Sequence, residues 1–100
     1  MNESHDQSIQ PCAAHLVVHG RVQGVGFRHM TRVTAARLDV RGWVRNRDDG
    51  TVEVWAEGEK EQLQRLIKAV RSGPPHADVE RVEVEWREPQ GKARRFRVRY

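Results

Sequence analysis

A glycine-rich segment, residues 20–28 (GRVQGVGFR), lies between an apolar run typical of a strand and a periodic run typical of a helix. Its glycines allow backbone dihedrals that residues with a Cβ avoid. Such a turn can direct several N–H groups into one concavity, and the helix that begins behind it adds further unpaired N–H donors. The arrangement of strand, glycine loop and helix start therefore predicts a site for a tetrahedral oxyanion such as phosphate.

Arg28 falls in the first turn of the predicted helix. A cation here faces the positive end of the helix dipole, which costs about a few tenths of a kcal/mol. A bound anion between the guanidinium and the loop would reverse this effect, because Arg can hold two phosphate oxygens in a bidentate fork. An ordinary glycine turn with a solvated Arg remains the alternative at this point.

The hydrophobic periodicity along the chain predicts an α+β fold. Strands are predicted at residues 14–20, 40–46, 51–57, 81–87 and 95–100, and helices at residues 27–38 and 59–71. The order βαββαβ with a short terminal strand is that of a ferredoxin-like α/β sandwich, with two helices on one face of a mostly antiparallel sheet. Right-handed crossovers would place the fourth strand beside the first. Asp49-Gly50 predicts a hairpin turn, and Asp39 is expected to end the first helix in the left-handed conformation.

Length and composition indicate one small domain. Residues 1–13 are polar and aperiodic, so we expect a disordered tail before a domain spanning residues 14–100. The start resembles no secretory signal, and no run approaches the roughly 20 apolar residues of a membrane span. Cys12 is the only cysteine, which excludes an internal disulfide and a cysteine metal site. A cytoplasmic protein is predicted, and its net charge of +4 favours anionic partners, from small phosphates to nucleic acid.

The sequence lacks the combinations of side chains that are typical of the common catalytic sites. The five histidines lack zinc-motif spacing, and His15 and His19 are expected on the sheet surface. No paired carboxylates or Ser-His-Asp set can be assembled from spacing. A phosphate site without a metal, nucleophile or proton donor is poorly suited to an ordinary phosphate ester, whose alkoxide leaving group needs assistance. An acyl phosphate needs none, because its leaving group is a carboxylate with a pKa of about 4.

Hydrolysis of an acyl phosphate requires a held phosphoryl group, neutralised oxygens and a water in line. Arg28 and the loop amides could provide the first two. Asn46, at the predicted end of the second strand, could orient the water, because an amide hydrogen-bonds but removes no proton at neutral pH. The alternative for Asn46 is a turn-initiating role before Asp49-Gly50.

Three segments together closely resemble the acylphosphatase family: residues 20–28, residues 42–46 (GWVRN) and residues 49–53 (DGTVE). The resemblance extends from about residue 16 to residue 100, although the family usually has Gly where Asp39 stands. It implies a monomeric, metal-independent and cofactor-independent enzyme that hydrolyses the carboxyl–phosphate bond of small acyl phosphates. Arg28 matches the family's phosphate-binding arginine and Asn46 its water-orienting asparagine. The phosphate-binding backbone amides would belong to Gln23, Gly24, Val25, Gly26 and Phe27.

The resemblance also implies that inorganic phosphate or sulfate can occupy the site, and that neither nucleic acid nor a membrane is a partner. An RNA-recognition module is the main alternative from another class, because it shares this element order and stacks bases on aromatic residues of its first and third strands. Trp55 lies on the predicted third strand, but the corresponding face of the first strand has only His15, Val17 and His19. A pairing of Trp43 with Trp55 across neighbouring strands is predicted instead.

A second alternative is that the same site belongs to one domain of a larger enzyme. An acylphosphatase-like domain also occurs at the N-terminus of a hydrogenase-maturation carbamoyltransferase that acts on carbamoyl phosphate. Because the chain ends at Tyr100, a stand-alone enzyme is the simpler expectation.

Overall fold

Two helices pack on one face of a five-stranded sheet in the computed structural model, which describes residues 11–100. The elements are β1 (Pro11–Arg21), α1 (Phe27–Arg37), β2 (Arg41–Asn46), β3 (Val52–Glu59), α2 (Lys60–Ser72), β4 (Asp78–Arg87) and β5 (Phe96–Arg99). The strand order is β4-β1-β3-β2-β5, and every neighbouring pair is antiparallel except β2 and β5. The predicted ferredoxin-like α+β sandwich is confirmed, with β4 beside β1.

The core forms between the inward face of the sheet and the apolar faces of the helices. Alternation along the strands directs Leu16, Val44 and Val54 inward, and all three are fully buried. The i, i+3, i+4, i+7 spacing of apolar residues in the second helix predicts one buried face. The structure confirms it, because α2 buries Leu63, Leu66, Ile67 and Val70.

The buried stripe of α1 differs from the predicted one. The helical spacing of Phe27, Met30, Thr34 and Leu38 in the sequence predicts that these four residues face the core. Instead, α1 fully buries Phe27, Thr31 and Ala35. Met30 and Leu38 are only partly buried at the edge of the core. Small residues at the centre of the contact let the helix approach the sheet closely, and Thr31 satisfies its hydroxyl by donating to the Phe27 carbonyl at 2.9 Å.

The strand β1 begins three residues earlier than predicted. Pro11, Cys12 and Ala13 pair with the end of β3, and Ala13 is fully buried. The sequence does not predict this extension, because these residues lack the alternation typical of a strand. They form a strand because they pair with β3. The rest of the predicted tail, residues 1–10, lies outside the described residues.

Two backbone positions around α1 determine how the chain enters and leaves the functional region. Gly20 was grouped with the glycine loop, but it belongs to β1, where the pairing with β4 shifts register. A Cβ at Gly20 would collide with the backbone carbonyl of Asp78, so this glycine permits close strand approach and does not shape the loop. Asp39 has φ 58°, which confirms the predicted left-handed residue after α1.

Candidate active site

The loop between β1 and α1 places glycines where the backbone turns left-handed. Gly24 has φ 76° and Gly26 has φ 81°. A Cβ at either position would meet no atom within 4 Å, so the dihedral angle, and not space, favours glycine. Gly26 is also the N-cap of α1, and no side chain caps this helix. The first N–H groups of α1 therefore open toward the loop, as an anion site requires.

A cleft of about 320 Å³ lies over this loop and the start of α1. Its walls come from the loop, from α1, from the end of β2 and from the C-terminal end of the chain. The lining residues are Val22, Gly24, Gly26, Phe27, Arg28, His29, Arg32, Asn46, Val98 and Tyr100. The structure thus brings Arg28 and Asn46, which are 18 positions apart in the sequence, into one cavity.

Asn46 ends β2, where it pairs with Val52 of β3. Its side-chain oxygen Oδ1 is buried and accepts no hydrogen bond from the described residues. A buried amide oxygen without a donor is unfavourable by itself, by about 1–3 kcal/mol. The atom is therefore suited to accept a hydrogen bond from a group that enters the cleft.

Arg28 is half-buried beside an aromatic ring. Its guanidinium carbon lies 4.8 Å from the centroid of the Tyr100 ring. No ion pair within residues 11–100 includes Arg28, so its charge is not neutralised by a carboxylate in that part of the chain. The Tyr100 ring is itself 99% exposed, so this contact leaves the N–H donors of the guanidinium available to an anion.

Gln23 and Val25, whose backbone amides are predicted to bind phosphate, also contact parts of the protein outside the cleft. Neither lines the cleft, and Val25 packs partly against the core. The Gln23 side chain donates from Nε2 to the carbonyl oxygens of Arg47 and Thr51, both at 2.8 Å. Gln23 therefore ties the loop to the β2–β3 hairpin that carries Asn46.

The hairpin turn is held by its own side chains. Asp49 Oδ1 accepts hydrogen bonds from the Thr51 backbone N–H at 3.0 Å and from the Thr51 hydroxyl at 2.6 Å. These two bonds lower the pKa of Asp49 below its ordinary value, with a smaller contribution from the charge of Arg47. The turn thus fixes the end of the hairpin at which Asn46 lies.

The cleft is electrostatically suited to anions. Arg28 and Arg32 line it, and no Asp or Glu side chain does. Within residues 11–100, no group of three His, Cys, Asp or Glu side chains could hold a metal ion. Arg32 and Tyr100 were not assigned to the site from sequence. Only the helical spacing of Arg32 from Arg28 was a local signal, whereas Tyr100 depends on the parallel pairing of β5 with β2.

The opposite face of the sheet carries the predicted aromatic pair, since Trp43 and Trp55 stand directly across from each other. Beside them Glu53 accepts hydrogen bonds from Arg45 at 2.6 Å and from His15 at 2.7 Å. Burial alone would raise the pKa of Glu53, but the bonds from His15 and Arg45 outweigh it and lower that pKa. His15 therefore lies on the sheet surface as predicted, half-buried and bonded to Glu53.

Comparison with known proteins agrees with this geometry. The model of the family described as Acylphosphatase matches residues 14–98. The chain belongs to the acylphosphatase family. The acylphosphatase of Thermococcus kodakarensis is 55% identical over 78 residues, which cover 78% of this chain and 86% of that protein. These matches confirm the predicted family and the prediction that the chain is an acylphosphatase enzyme.

Solved structures extend the comparison to the fold. The crystal structure of acylphosphatase from Bacillus subtilis has a TM-score of 0.86 and 39% identity, covering 89% of this chain and 99% of that one. The structure of HypF from T. kodakarensis has a TM-score of 0.78 and 34% identity, and the match covers 89% of this chain but 12% of that one. The acylphosphatase fold of this chain is thus similar both to a whole small protein and to one part of a much larger one.

Proposed function

We propose that the cleft hydrolyses the carboxyl–phosphate bond of small acyl phosphates without a metal ion, with Arg28 and the loop amides binding phosphate and Asn46 orienting water. One observation carries this assignment. The uncapped N-terminus of α1, the Arg28 guanidinium and the unpartnered Oδ1 of Asn46 belong to a single cleft that no Asp or Glu side chain lines. The cavity therefore combines donors for a phosphoryl group with one acceptor for a neutral nucleophile.

The reaction follows from these positions. The phosphoryl oxygens accept hydrogen bonds from the loop and helix N–H groups and from Arg28, whose charge balances theirs. Asn46 Oδ1 accepts a hydrogen bond from an O–H of a water molecule, which orients the water's lone pair toward phosphorus.

The bond changes balance without a further reactant. The water oxygen bonds to phosphorus as the bond between phosphorus and the carboxyl oxygen breaks, and the electron pair leaves with the carboxylate. The proton of the water passes to a phosphoryl oxygen or to solvent. No general acid is required, because a carboxylate is a good leaving group.

An assay in excess EDTA tests the proposal. We expect the purified protein to convert acetyl phosphate and benzoyl phosphate to inorganic phosphate and the carboxylate, followed by ³¹P NMR. The rate should be unchanged when Mg²⁺ replaces EDTA, and Arg28→Ala should lose both phosphate affinity and rate, since its charge serves substrate and transition state alike. Activity that appears only after a divalent ion is added would contradict the metal-independent mechanism.

The setting of the enzyme stays a prediction in two respects. A monomeric state and a cytoplasmic location are proposed from the sequence, with inorganic phosphate or sulfate as competing ligands of the cleft. In the part of the chain that the structure describes, neither helix has the length and apolar character needed to cross a bilayer.

A further inference from the structure

A second concave region, which we call the groove, lies on the face of the sheet opposite the helices. Its volume is about 780 Å³, within the range of small-molecule sites, and no residue lines both the groove and the cleft. Trp43 and Trp55 line it from the sheet, β5 lines one side, and the segment between β4 and β5 lines another. The groove is therefore separate from the site of the proposed reaction.

The segment between β4 and β5 is held in place by Glu57, the one acidic residue among those lining the groove. The Glu57 carboxylate is buried and accepts hydrogen bonds from Trp55 Nε1 and from the backbone N–H groups of Gln90 and Gly91. Both of its oxygens are used in these bonds. Glu57 therefore fixes the wall of the groove and is not available to neutralise the basic side chains around it.

Five basic side chains line the groove and have no carboxylate partner. All are exposed, and no ion pair within residues 11–100 includes any of them: Lys92, Arg94, Arg95, Arg97 and Arg99. The opposite edge of the sheet differs. On β4, Arg81 lies 3.5 Å from Glu83. Arg87 lies 2.9 Å from Glu85. The positive charge of β4 is thus balanced by neighbouring side chains, whereas that of the groove is not.

Trp43 holds one of these cations beside the groove. The guanidinium carbon of Arg99 lies 4.7 Å from the centroid of the half-buried Trp43 ring. Arg97 stands directly across from Trp43 in the parallel pairing of β5 with β2. A cation–π contact leaves the N–H donors of a guanidinium free, so Arg99 can still donate to an anion.

We infer that the groove binds a polyphosphate chain, either inorganic polyphosphate or the chain of a nucleoside triphosphate. Such a chain concentrates several negative charges in a short length, and a guanidinium can bind phosphate oxygens through two parallel hydrogen bonds. An acidic peptide matches the groove less well, because carboxylates on one face of an extended segment are about 7 Å apart. The inference goes beyond the proposed function and does not depend on it.

Isothermal titration calorimetry with tripolyphosphate tests the groove in an Arg28→Ala background, which weakens phosphate binding in the cleft. We expect binding in this background, and Arg97→Gln combined with Arg99→Gln should raise Kd at least about tenfold, as for a lost charge-assisted contact. Arg81→Gln is the matched control, because Arg81 lies on the same sheet face beside Glu83, and it should change Kd little. Circular dichroism melting checks that each variant is folded.

Backbone amide NMR of the unaltered protein locates the ligand without any substitution. We expect tripolyphosphate to shift the resonances of residues 92–99 and of the Trp43 indole N–H. Titration with ATP distinguishes the two sources of the chain. Equal affinities for ATP and tripolyphosphate would support recognition of the phosphate chain alone, and tighter binding of ATP would support a nucleotide whose base also contacts the groove.

Three outcomes would overturn the inference. Tripolyphosphate that shifts only residues 23–28 would assign all phosphate binding to the cleft. A Kd that the paired arginine substitutions leave unchanged would exclude β5 from the site. Tighter binding of hexaglutamate than of tripolyphosphate would assign the groove to an acidic protein segment. None of these measurements involves hydrolysis of an acyl phosphate, so a failure of the proposed function would be seen separately.

Discussion

At the scale of single residues, substitution of Asn46 tests directly whether its side chain orients the attacking water. We expect Asn46→Ala to lower kcat about 100-fold while KM changes little, because in the proposed mechanism the amide oxygen contacts the attacking water and not the phosphoryl group. Steady-state kinetics with benzoyl phosphate measure the loss, and inhibition by inorganic phosphate should stay near that of the unaltered protein.

Asp48→Ala is a suitable control for that variant. Asp48 lies in the same hairpin, is exposed and does not line the cleft. Its removal should leave kcat unchanged. Full kcat in Asn46→Ala would show that the water is oriented by another group.

The residues that sequence could assign share one property: their surroundings are local. Arg28 follows the glycine loop directly, and Asn46 ends a strand next to a recognisable turn, so local pattern made both residues candidates and the family resemblance gave them their predicted roles. Tyr100 is different, because it reaches Arg28 only through the parallel pairing of β5 with β2, which no local pattern specifies. The unpartnered state of Asn46 Oδ1 likewise depends on what the folded chain places around it.

At the scale of elements, Gln23 determines how the loop meets the β2–β3 hairpin. Gln23→Ala removes two hydrogen bonds, each 2.8 Å long, from carbonyl oxygens of the hairpin. We expect a loss of stability of about 1–3 kcal/mol, because these acceptors lose their partner in a partly buried place. We also expect kcat to fall, since Asn46 would no longer be fixed relative to the loop.

Urea unfolding and steady-state kinetics measure the two effects of Gln23→Ala. The exposed Gln64 on α2 provides the control variant Gln64→Ala, which should change neither stability nor kcat appreciably. A Gln23→Ala variant that lost stability but kept its kcat would make Gln23 a purely structural residue.

The elements themselves were largely predictable because alternation and helical periodicity reflect burial on one face. The structure differs from the predicted elements where contacts with a neighbouring element, and not the local sequence, determine the conformation. Residues 11–13 become part of β1 because β3 extends beside them, and Gly20 is required by the carbonyl of Asp78 on β4. The buried stripe of α1 contains Thr31 and Ala35 instead of Met30 and Thr34, because packing against the sheet, and not local spacing alone, decides which face of a helix is buried.

At the scale of the whole molecule, one buried carboxylate links the sheet to the segment between β4 and β5. Glu57 accepts hydrogen bonds from Trp55 Nε1 at 2.7 Å and from the backbone N–H groups of Gln90 and Gly91, both at 3.0 Å. Burial alone would raise the pKa of Glu57, but these bonds and the charge of Arg41 outweigh it, so the pKa is lowered from 4.5. A lowered pKa in the folded state means that the ionised carboxylate stabilises the fold.

The pH dependence of stability follows from that sign. The contribution of Glu57 is fully present above its ordinary pKa of 4.5 and is lost as the pH falls through the lower folded value. We expect the free energy of unfolding of Glu57→Gln at pH 7 to be about 1–3 kcal/mol lower than that of the unaltered protein. This difference should become smaller below about pH 4, where carboxyl groups begin to be protonated.

Urea unfolding at neutral and acidic pH measures this difference. Glu88→Gln, at an exposed position in the same connecting segment, is the control and should alter stability little at either pH. A difference between Glu57→Gln and the unaltered protein that stayed constant with pH would show that the ionised state of Glu57 does not contribute.

The short edge strand β5 has a further consequence for the enzyme. Four residues pair with β2 alone in the described sheet, and the same strand delivers Val98 to the cleft, with Tyr100 directly after it. Edge segments of this size detach at a lower free energy than central strands. On gradual warming, the enzyme would therefore lose activity while most of its tertiary structure remained folded. The temperature at which activity is lost would reflect the detachment of β5 and lie below the melting temperature of the domain.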